Sequence, residues 1–305
     1  MTISFEGQVA IVTGAGNGLG RSHALELASR GAKVVVNDLG GTLDGSGGSS
    51  DAAREVVRLI EENGGEAIAH GANVAKYEEV QDMVAQAMGK WGKVDILINN
   101  AGILRDKTFA KMELADFQLV MDVHLMGSVN CTKAVWDIMR QQNYGRIVMT
   151  TSSSGMYGNF GQSNYGAAKM AVLGLMNTLV QEGAKNNIRV NALAPTAGTR
   201  MTENLIPDEA YQLMTPESVT AGALVLCHSD APNRTILCAG AGGYASTRLF
   251  ETDGIFLPPE QQTPDAVVEQ MDGICNTDDQ AALQSAGMQT DKFVGKAIAY
   301  LQSQQ

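Results

Sequence analysis

The sequence predicts an α/β fold: a doubly wound parallel sheet with helices on both faces, followed by a helical C-terminal extension. Three observations carry that prediction. A β-branched run at 8–13 leads into the turn Gly14-Ala15-Gly16-Asn17-Gly18-Leu19-Gly20 and then into a helical pattern; strands and helices alternate after it; and one strand, loop and helix passage at 150–180 carries Ser152, Tyr165 and Lys169. Alternation of this kind covers a parallel sheet with helices on both sides and leaves ligands at the carboxyl ends of its strands.

The glycine turn comes first in the chain and has the context that gives it meaning, a preceding strand and a following helix. Gly14, Gly16, Gly18 and Gly20 permit a tight turn, close backbone approach to a pyrophosphate and close packing of helix on strand, while the helix start at Asn17 and Leu19 offers amides to an anion. About eighteen residues after Gly20, the run Lys33-Val34-Val35-Val36-Asn37-Asp38 reads as a buried strand ending in an acid. A carboxylate at Asp38 bonds ribose hydroxyls and repels a 2′-phosphate, so it favours NAD over NADP; its bland alternative is a solvated turn aspartate. The stretch 40–50 reads as a Gly/Ser-rich loop. Helices are expected at 51–63 and 76–91, and strands at 66–73 and 94–99. Asn73 and Val74 end one of these strands, and Asn99-Asn100-Ala101-Gly102 ends the next. Asn73 is expected to bond an adenine edge with Val74 packed on it. Asn99 is expected to tie strand ends together.

In the central passage, Tyr165 lies thirteen positions after Ser152, and Lys169 four after Tyr165. Residues i and i+4 share a helix face, so a phenol and an ammonium meet in one cavity. A free tyrosine titrates near about 10, and a neighbouring cation favours the phenolate, so Tyr165 is expected to have a depressed pKa. Tyr-x-x-x-Lys by itself equally describes a surface tyrosine stacked on a lysine stem.

Taken in order, Thr13-Gly14, Gly18, Gly20, Asn99-Asn100-Ala101-Gly102, Ser152 and Tyr165-x-x-x-Lys169 resemble the short-chain dehydrogenase/reductase family over about residues 5–250. The resemblance implies a Rossmann-type fold, hydride transfer at the nicotinamide, Tyr165 as acid and base, Lys169 on the nicotinamide ribose and Ser152 on the substrate oxygen. It also implies that Pro195 and Thr199, in Pro195-Thr196-Ala197-Gly198-Thr199, lie along the nicotinamide, and that Asn100, Ala101 and Gly102 line the cofactor site. Many members carry an asparagine where this chain has His124. An imidazole there either holds a water in the proton relay or is a satisfied core residue. The surrounding stretches, including Val123-His124-Leu125-Met126-Gly127 and Gly102-Ile103-Leu104-Arg105-Asp106-Lys107, resemble more narrowly the (3R)-hydroxyacyl-CoA dehydrogenase region of type 2 multifunctional β-oxidation enzymes. Without the hydratase and carrier regions, a stand-alone version is the expectation.

That narrower likeness implies NAD-dependent oxidation of a (3R)-3-hydroxyacyl-CoA, with a bulky secondary alcohol such as a 17β-hydroxysteroid as the alternative and a catalytically idle NAD-binding regulator as a third reading. For the first, Arg105 and Lys107 offer cations to CoA phosphates, unless they are simply solvated charges. Met201, Leu205, Ile206 and Met214 offer an apolar lid over the substrate, unless they pack in the core. The helix continuing from Tyr165 through Met170, Val172, Leu173, Leu175, Met176, Leu179 and Val180 is apolar nearly all round. It needs burial on two sides, hence an expected homodimer, possibly a tetramer.

The remaining bounds come from charge and composition. A net charge of -11 over 305 residues argues against a nucleic-acid partner. Cys131, Cys227, Cys238 and Cys275 lack C-x-x-C spacing, and no secretory pattern is read at the N-terminus, so reduced thiols and a cytoplasmic location are expected. The four histidines show no metal-ligand spacing, and no apolar stretch is long enough to span a membrane. The last strand of the sheet is expected near 234–238. Domain boundaries are expected at 1–250 for the NAD-binding catalytic domain and 251–305 for the extension, with Thr263-Pro264-Asp265 starting a helix that presents Val267, Met271 and Ile274. A last helix at 290–301 is expected, and in the resembling enzymes such an extension covers an active site of the same or the neighbouring subunit.

Overall fold

A computed structural model describes residues 2–42, 44–47, 51–197 and 208–304. Eight strands form one sheet in the order β3-β2-β1-β4-β5-β6-β7-β8. They are β1 (Val9–Thr13), β2 (Lys33–Asn37), β3 (Glu66–His70), β4 (Ile96–Asn99), β5 (Gly145–Thr150), β6 (Ile188–Thr196), β7 (Ile236–Gly240) and β8 (Gly243–Thr247). The six registers from β3 to β7 are parallel; Ala10, for example, lies opposite both Val34 and Ile96. Strands buried on both faces need apolar residues at every position, and β1 and β5 are buried throughout. Successive residues still point to opposite faces. Ala10, Val12, Val34, Val36, Ile96 and Ile98 join one core cluster, while Ile11, Val35, Leu97, Ile147 and Met149 join the other. The expected doubly wound sheet is therefore present.

Helices α1 (Gly18–Ser29), α2 (Asp51–Glu62) and α3 (Tyr77–Trp91) follow the first three strands. Helix α4 (Leu114–Met121) continues through a π-helical segment, Asp122–Met126, into α5 (Gly127–Gln142). After β5 come α6 (Ser153–Tyr157) and α7 (Ser163–Gly183), and after β6 come α8 (Asp208–Leu213) and α9 (Pro216–Cys227). The chain moves outward from β1 through β2 to β3 and then returns to place β4 on the other side of β1. That reversal opens a crevice above the carboxyl ends of β1 and β4.

The chain divides into two compact units, Met1–Ser246 and Thr247–Gln305. The sheet extends further than expected. After β7, Ala241 (φ 49°) and Gly242 (φ 79°) form a two-residue turn with both φ values positive, as a type I′ hairpin requires, and β8 follows. Its segment, Gly243–Thr247, is almost wholly exposed, so it carries no hydrophobic periodicity to read. In the second unit, Thr263 caps α10 (Pro264–Glu269), its Oγ1 accepting from the Ala266 amide. The expected single helix breaks at Gln270, and α11 (Met271–Ile274) follows. Helix α12 (Ala286–Ser303) starts earlier than expected, directly after Ser285.

Candidate active site

Thr13 ends β1, and Gly14 (φ 62°) and Gly18 (φ 52°) take the left-handed backbone that L side chains resist. The turn is closely packed. A Cβ on Gly20 would lie 2.2 Å from the Gly14 carbonyl, and one on Gly16 would lie 2.8 Å from the Asp38 carboxylate. Asp38 Oδ2 accepts the Gly16 amide at 2.7 Å and Oδ1 accepts the Gly40 amide at 2.7 Å. The acid at the end of β2 is thus fixed beside the glycine turn, where a ribose adjoining a pyrophosphate would lie. No side chain caps α1 at the exposed Asn17, which suits its first turn to an anion, while the half-buried Leu19 packs on the core. This cradle fits a dinucleotide.

The neighbouring strand ends serve largely to hold the turn. Asn100 Nδ2 donates to the carbonyls of Thr13 (2.9 Å) and Gly14 (3.1 Å), and Thr13 Oγ1 accepts the amides of Asn100 and Ala101. Ala101 lies against Gly14. Asn99 Nδ2 donates to Thr132 Oγ1 on α5, joining that helix to the end of β4. Strand β3 ends at His70, before Asn73 and Val74. The Asn73 amide donates to Glu79, its Oδ1 accepts the Ala75 amide, and the buried Val74 side chain lies against Gly127 of α5. Pro195 lies near the end of β6, opposite Ala239. Thr199, Met201, Leu205 and Ile206 lie outside the described residues, and Met214 is half-buried after α8.

The other half of the site lies beyond β5. Ser152 follows that strand and caps α6, its Oγ accepting the Ser154 amide at 3.1 Å. Tyr165 and Lys169 lie one turn apart on α7, with Lys169 Nζ 5.5 Å from the Tyr165 ring centre. The lysine is buried and donates to the Thr150 carbonyl at 2.6 Å. His124 comes in from the π-helical segment, its ring 5.1 Å from that of Tyr165 and perpendicular to it. Its Nε2 lies 2.8 Å from the Ile103 carbonyl. The Ile103 amide lies 3.1 Å from the same Nε2, so that nitrogen either donates to the carbonyl or accepts from the amide, and Nδ1, which takes the complementary role, is buried with no protein partner among the described residues. Gly102 makes room for the ring, since a Cβ there would lie 2.3 Å from His124 Cε1.

Burial dominates the ionisation of all three groups. It raises the Tyr165 phenol above its ordinary value; an interaction with Ser152 pulls back, and the Asp106 charge adds to the rise. Burial also lowers Lys169 to about 7. His124 falls to about 3, chiefly through burial, with the Lys169 charge adding and the Ile103 backbone bond opposing, so the imidazole is neutral near pH 7. The expected depression of the phenol is reversed in this structure: the cost of placing a phenolate in the site outweighs the pull of Ser152, and burial also discourages the neighbouring ammonium.

Arg105 differs from the expectation of a cation awaiting phosphates. Its Nε donates to the Asp44 carbonyl at 2.7 Å, and its Nη1 donates to Asp116 Oδ1 at 3.0 Å. Asn164, missed in the sequence, is fully buried immediately before Tyr165 and donates from Nδ2 to the Arg105 carbonyl at 3.0 Å. No local pattern marks it. Lys107 keeps an exposed side chain. Within the second unit, Ile255, Phe256, Val267 and Phe293 among others line a cavity of about 420 Å³. Among the described residues, no group of His, Cys, Asp or Glu could hold a metal, and no helix is long and apolar enough to cross a membrane.

Residues 8–210 match the family model described as short chain dehydrogenase. The peroxisomal multifunctional enzyme type 2 of Mus musculus is 46% identical over 277 residues, covering 90% of this chain and 37% of that enzyme. The chain thus spans little over a third of that relative's length. The solved full-length peroxisomal multifunctional enzyme type 2 of Drosophila melanogaster superposes with a TM-score of 0.80 at 36% identity, covering 99% of this chain and 50% of the other. A 7α-hydroxysteroid dehydrogenase, solved with NADH and 7-oxo glycochenodeoxycholic acid, gives a TM-score of 0.71 at 31% identity over 79% of this chain and 95% of that one.

Proposed function

We propose, from the premise that this chain belongs to the short-chain dehydrogenase family, that it oxidises a secondary alcohol to a ketone with NAD, acting on (3R)-3-hydroxyacyl-CoA to give 3-oxoacyl-CoA. The observation that carries this reading is the convergence of Ser152, Tyr165 and Lys169 at the same edge of the sheet as a turn whose neighbouring acid, Asp38, bonds the Gly16 amide. Gly14, Gly16, Asn17, Gly18, Leu19 and Gly20 would hold the pyrophosphate, and Asp38 the adenosine ribose. Asn73 and Val74 would border the adenine, while Asn100, Ala101, Gly102, Pro195 and Thr199 would line the path to the nicotinamide. The bound nicotinamide supplies the hydride acceptor. Ser152 would hold the substrate oxygen, and the deprotonated Tyr165 would take its proton. Lys169 would hold a ribose hydroxyl and favour the phenolate. His124, neutral with Nδ1 unpartnered, would orient a proton carrier behind Lys169.

The substrate class rests on the likeness of the stretches around His124 and Arg105 to hydroxyacyl-CoA dehydrogenase regions. The likeness to the 7α-hydroxysteroid dehydrogenase favours a second reading, a sterol alcohol at the same centre. Residues 1–250 would carry catalysis, with 251–305 as an extension closing the substrate pocket. The apolar course of α7 supports a homodimer, and four cysteines without C-x-x-C spacing fit a reducing compartment such as the cytoplasm. Supplying (3R)-hydroxyacyl-CoA and hydroxysteroid in parallel and following NADH absorbance tests the assignment. Turnover of the thioester is the expected result, and turnover of the steroid alone would replace it. Tyr165→Phe should lose at least about a hundredfold in rate; wild-type turnover in that variant would remove Tyr165 as the base, and no turnover of any alcohol by the wild type would favour the idle NAD-binding regulator.

A further inference from the structure

Strand β1 lies between β2 and β4, so a loop leaving β2 reaches the segment leaving β4 only by passing the carboxyl end of β1, where the glycine turn lies. The loop after Asp38 does so. Asp44 offers its carbonyl to Arg105 Nε at 2.7 Å, and a Cβ on Gly45 would be 3.3 Å from two side-chain carbons of Ile103. Its described residues bond one another: the Thr42 amide donates to the Ser46 carbonyl, and the Asp44 carboxylate accepts from the Ser46 amide and hydroxyl. At its base, Asp38 grips the Gly16 and Gly40 amides. The result is a bridge over the crevice with Arg105 as its far anchor.

Arg105 is equally fixed on its other side. Its guanidinium pairs with Asp116 of α4 at 3.0 Å, with both side chains partly exposed. Its carbonyl accepts from Asn164, next to Tyr165, while Gln162 bonds Asp106 and the Lys107 amide donates to the Gly161 carbonyl. One short segment therefore joins the bridge to the start of the helix that carries Tyr165 and Lys169.

We propose that Arg105 is a positioning residue that retains the dinucleotide by pinning the loop after β2 across the crevice to the segment stitched to α7. The proposal rests on the reading of the crevice as a dinucleotide site. Dissociation of NADH would require the bond from Arg105 to Asp44 to open, so Arg105 governs cofactor release and touches no reacting atom.

The test is the NADH dissociation rate constant, read by stopped-flow displacement with excess NAD through nicotinamide fluorescence. Losing two charge-assisted bonds in Arg105→Ala should accelerate release about tenfold. The KM for NAD should rise with it, while turnover at saturating NAD holds or increases. Arg105→Lys, whose ammonium lacks the fork needed to hold both partners, should move in the same direction and guards against a misfolded alanine variant. Asp116→Asn, which leaves the bond to Asp44, should fall between. Off-rates within twofold of wild type in folded Arg105→Ala or Arg105→Lys would overturn the proposal while leaving the function untouched. A wild-type protein that binds no NADH would overturn the reading of the crevice and this proposal with it.

Discussion

Burial acts in the same sense on the two ionisable partners of α7: it raises the Tyr165 phenol and lowers the Lys169 ammonium to about 7, so each is pressed toward its neutral form. In the oxidative direction the phenol must first lose its proton. Below its pKa the deprotonated fraction grows about tenfold per pH unit, so kcat/KM for alcohol oxidation should climb from pH 7 into the alkaline range. A flat profile over that range would contradict Tyr165 as the base. For stability the sign follows from proton counts. The folded pKa of Lys169 lies below its ordinary 10.5, so the unfolded chain binds more protons between pH 7 and 10.5, and the lysine's contribution to stability rises with pH through that window. His23 is similar at lower pH. It is fully buried between α1 and α9, its Nδ1 2.7 Å from Thr220 Oγ1, and burial holds it near 4 against an ordinary 6.5. Stability should therefore fall as pH drops from 6.5 to 4, by roughly 3 kcal/mol from this group. Urea unfolding at both ends of that window should show a smaller acid loss in His23→Gln than in wild type, and an equal loss would refute the assignment. The i, i+4 spacing of Tyr165 and Lys169 was legible because helix geometry is local. Their ionisation was not, because the walls of the site, Ile103, Val120 and His124, come from distant parts of the chain.

The glycine turn shows how an element can be read from sequence while its packing cannot. Its residue types required a tight bend, but only the fold reveals which glycine is in contact with what. Gly20 lies in the first turn of α1 against the Gly14 carbonyl, and a Cβ there would be 2.2 Å away. Gly20→Ala must shift the turn, at about 1–3 kcal/mol in stability, and should weaken NADH binding. Gly89 is the control, since it is exposed within α3 and nothing lies within 4 Å of its Cβ position. There the same change should stabilise by about 0.5–1 kcal/mol through helix propensity. Equal effects of the two substitutions on thermal unfolding and NADH affinity would refute this account of the turn. Elsewhere the element boundaries were lost for physical reasons. Strand β8 follows a turn whose first position is an alanine at positive φ, and the break at Gln270 follows six residues that carry a good helix start. The π-helical segment that brings in His124 has no local signature, because its widened turn is supported by contacts such as Ser128 Oγ with the His124 carbonyl.

At the scale of the whole molecule, the order of strands brings the loops after β1, β2 and β4 to one edge of the sheet, and the passage after β5 adds Ser152, Tyr165 and Lys169. The alternating pattern made that topology legible, but it said little about the second unit, which follows different physics. None of the described residues from Thr247 onward is buried, and Val268, Met271, Met288, Phe293, Val294, Ile298 and Leu301 are exposed. What holds this unit internally is mostly polar. Lys292 donates to the Glu251 carboxylate and the Thr252 carbonyl, Lys296 donates to Asp253 and to the Gly254 carbonyl, and the Phe256 and Tyr300 rings lie 5.3 Å apart. Exposed ion pairs contribute at most about 1 kcal/mol each, whereas ordering the chain costs about 1.5 kcal/mol per residue. With no buried side chain to offset that cost, residues 247–305 expressed alone should lack a stable fold. Circular dichroism should show a shallow, non-cooperative loss of helix with urea, while residues 1–246 should retain a sigmoidal transition of their own, because both core clusters lie wholly within them. A sharp transition in the isolated C-terminal fragment, with a slope above about 1 kcal/mol/M, would require a core that its side chains do not form.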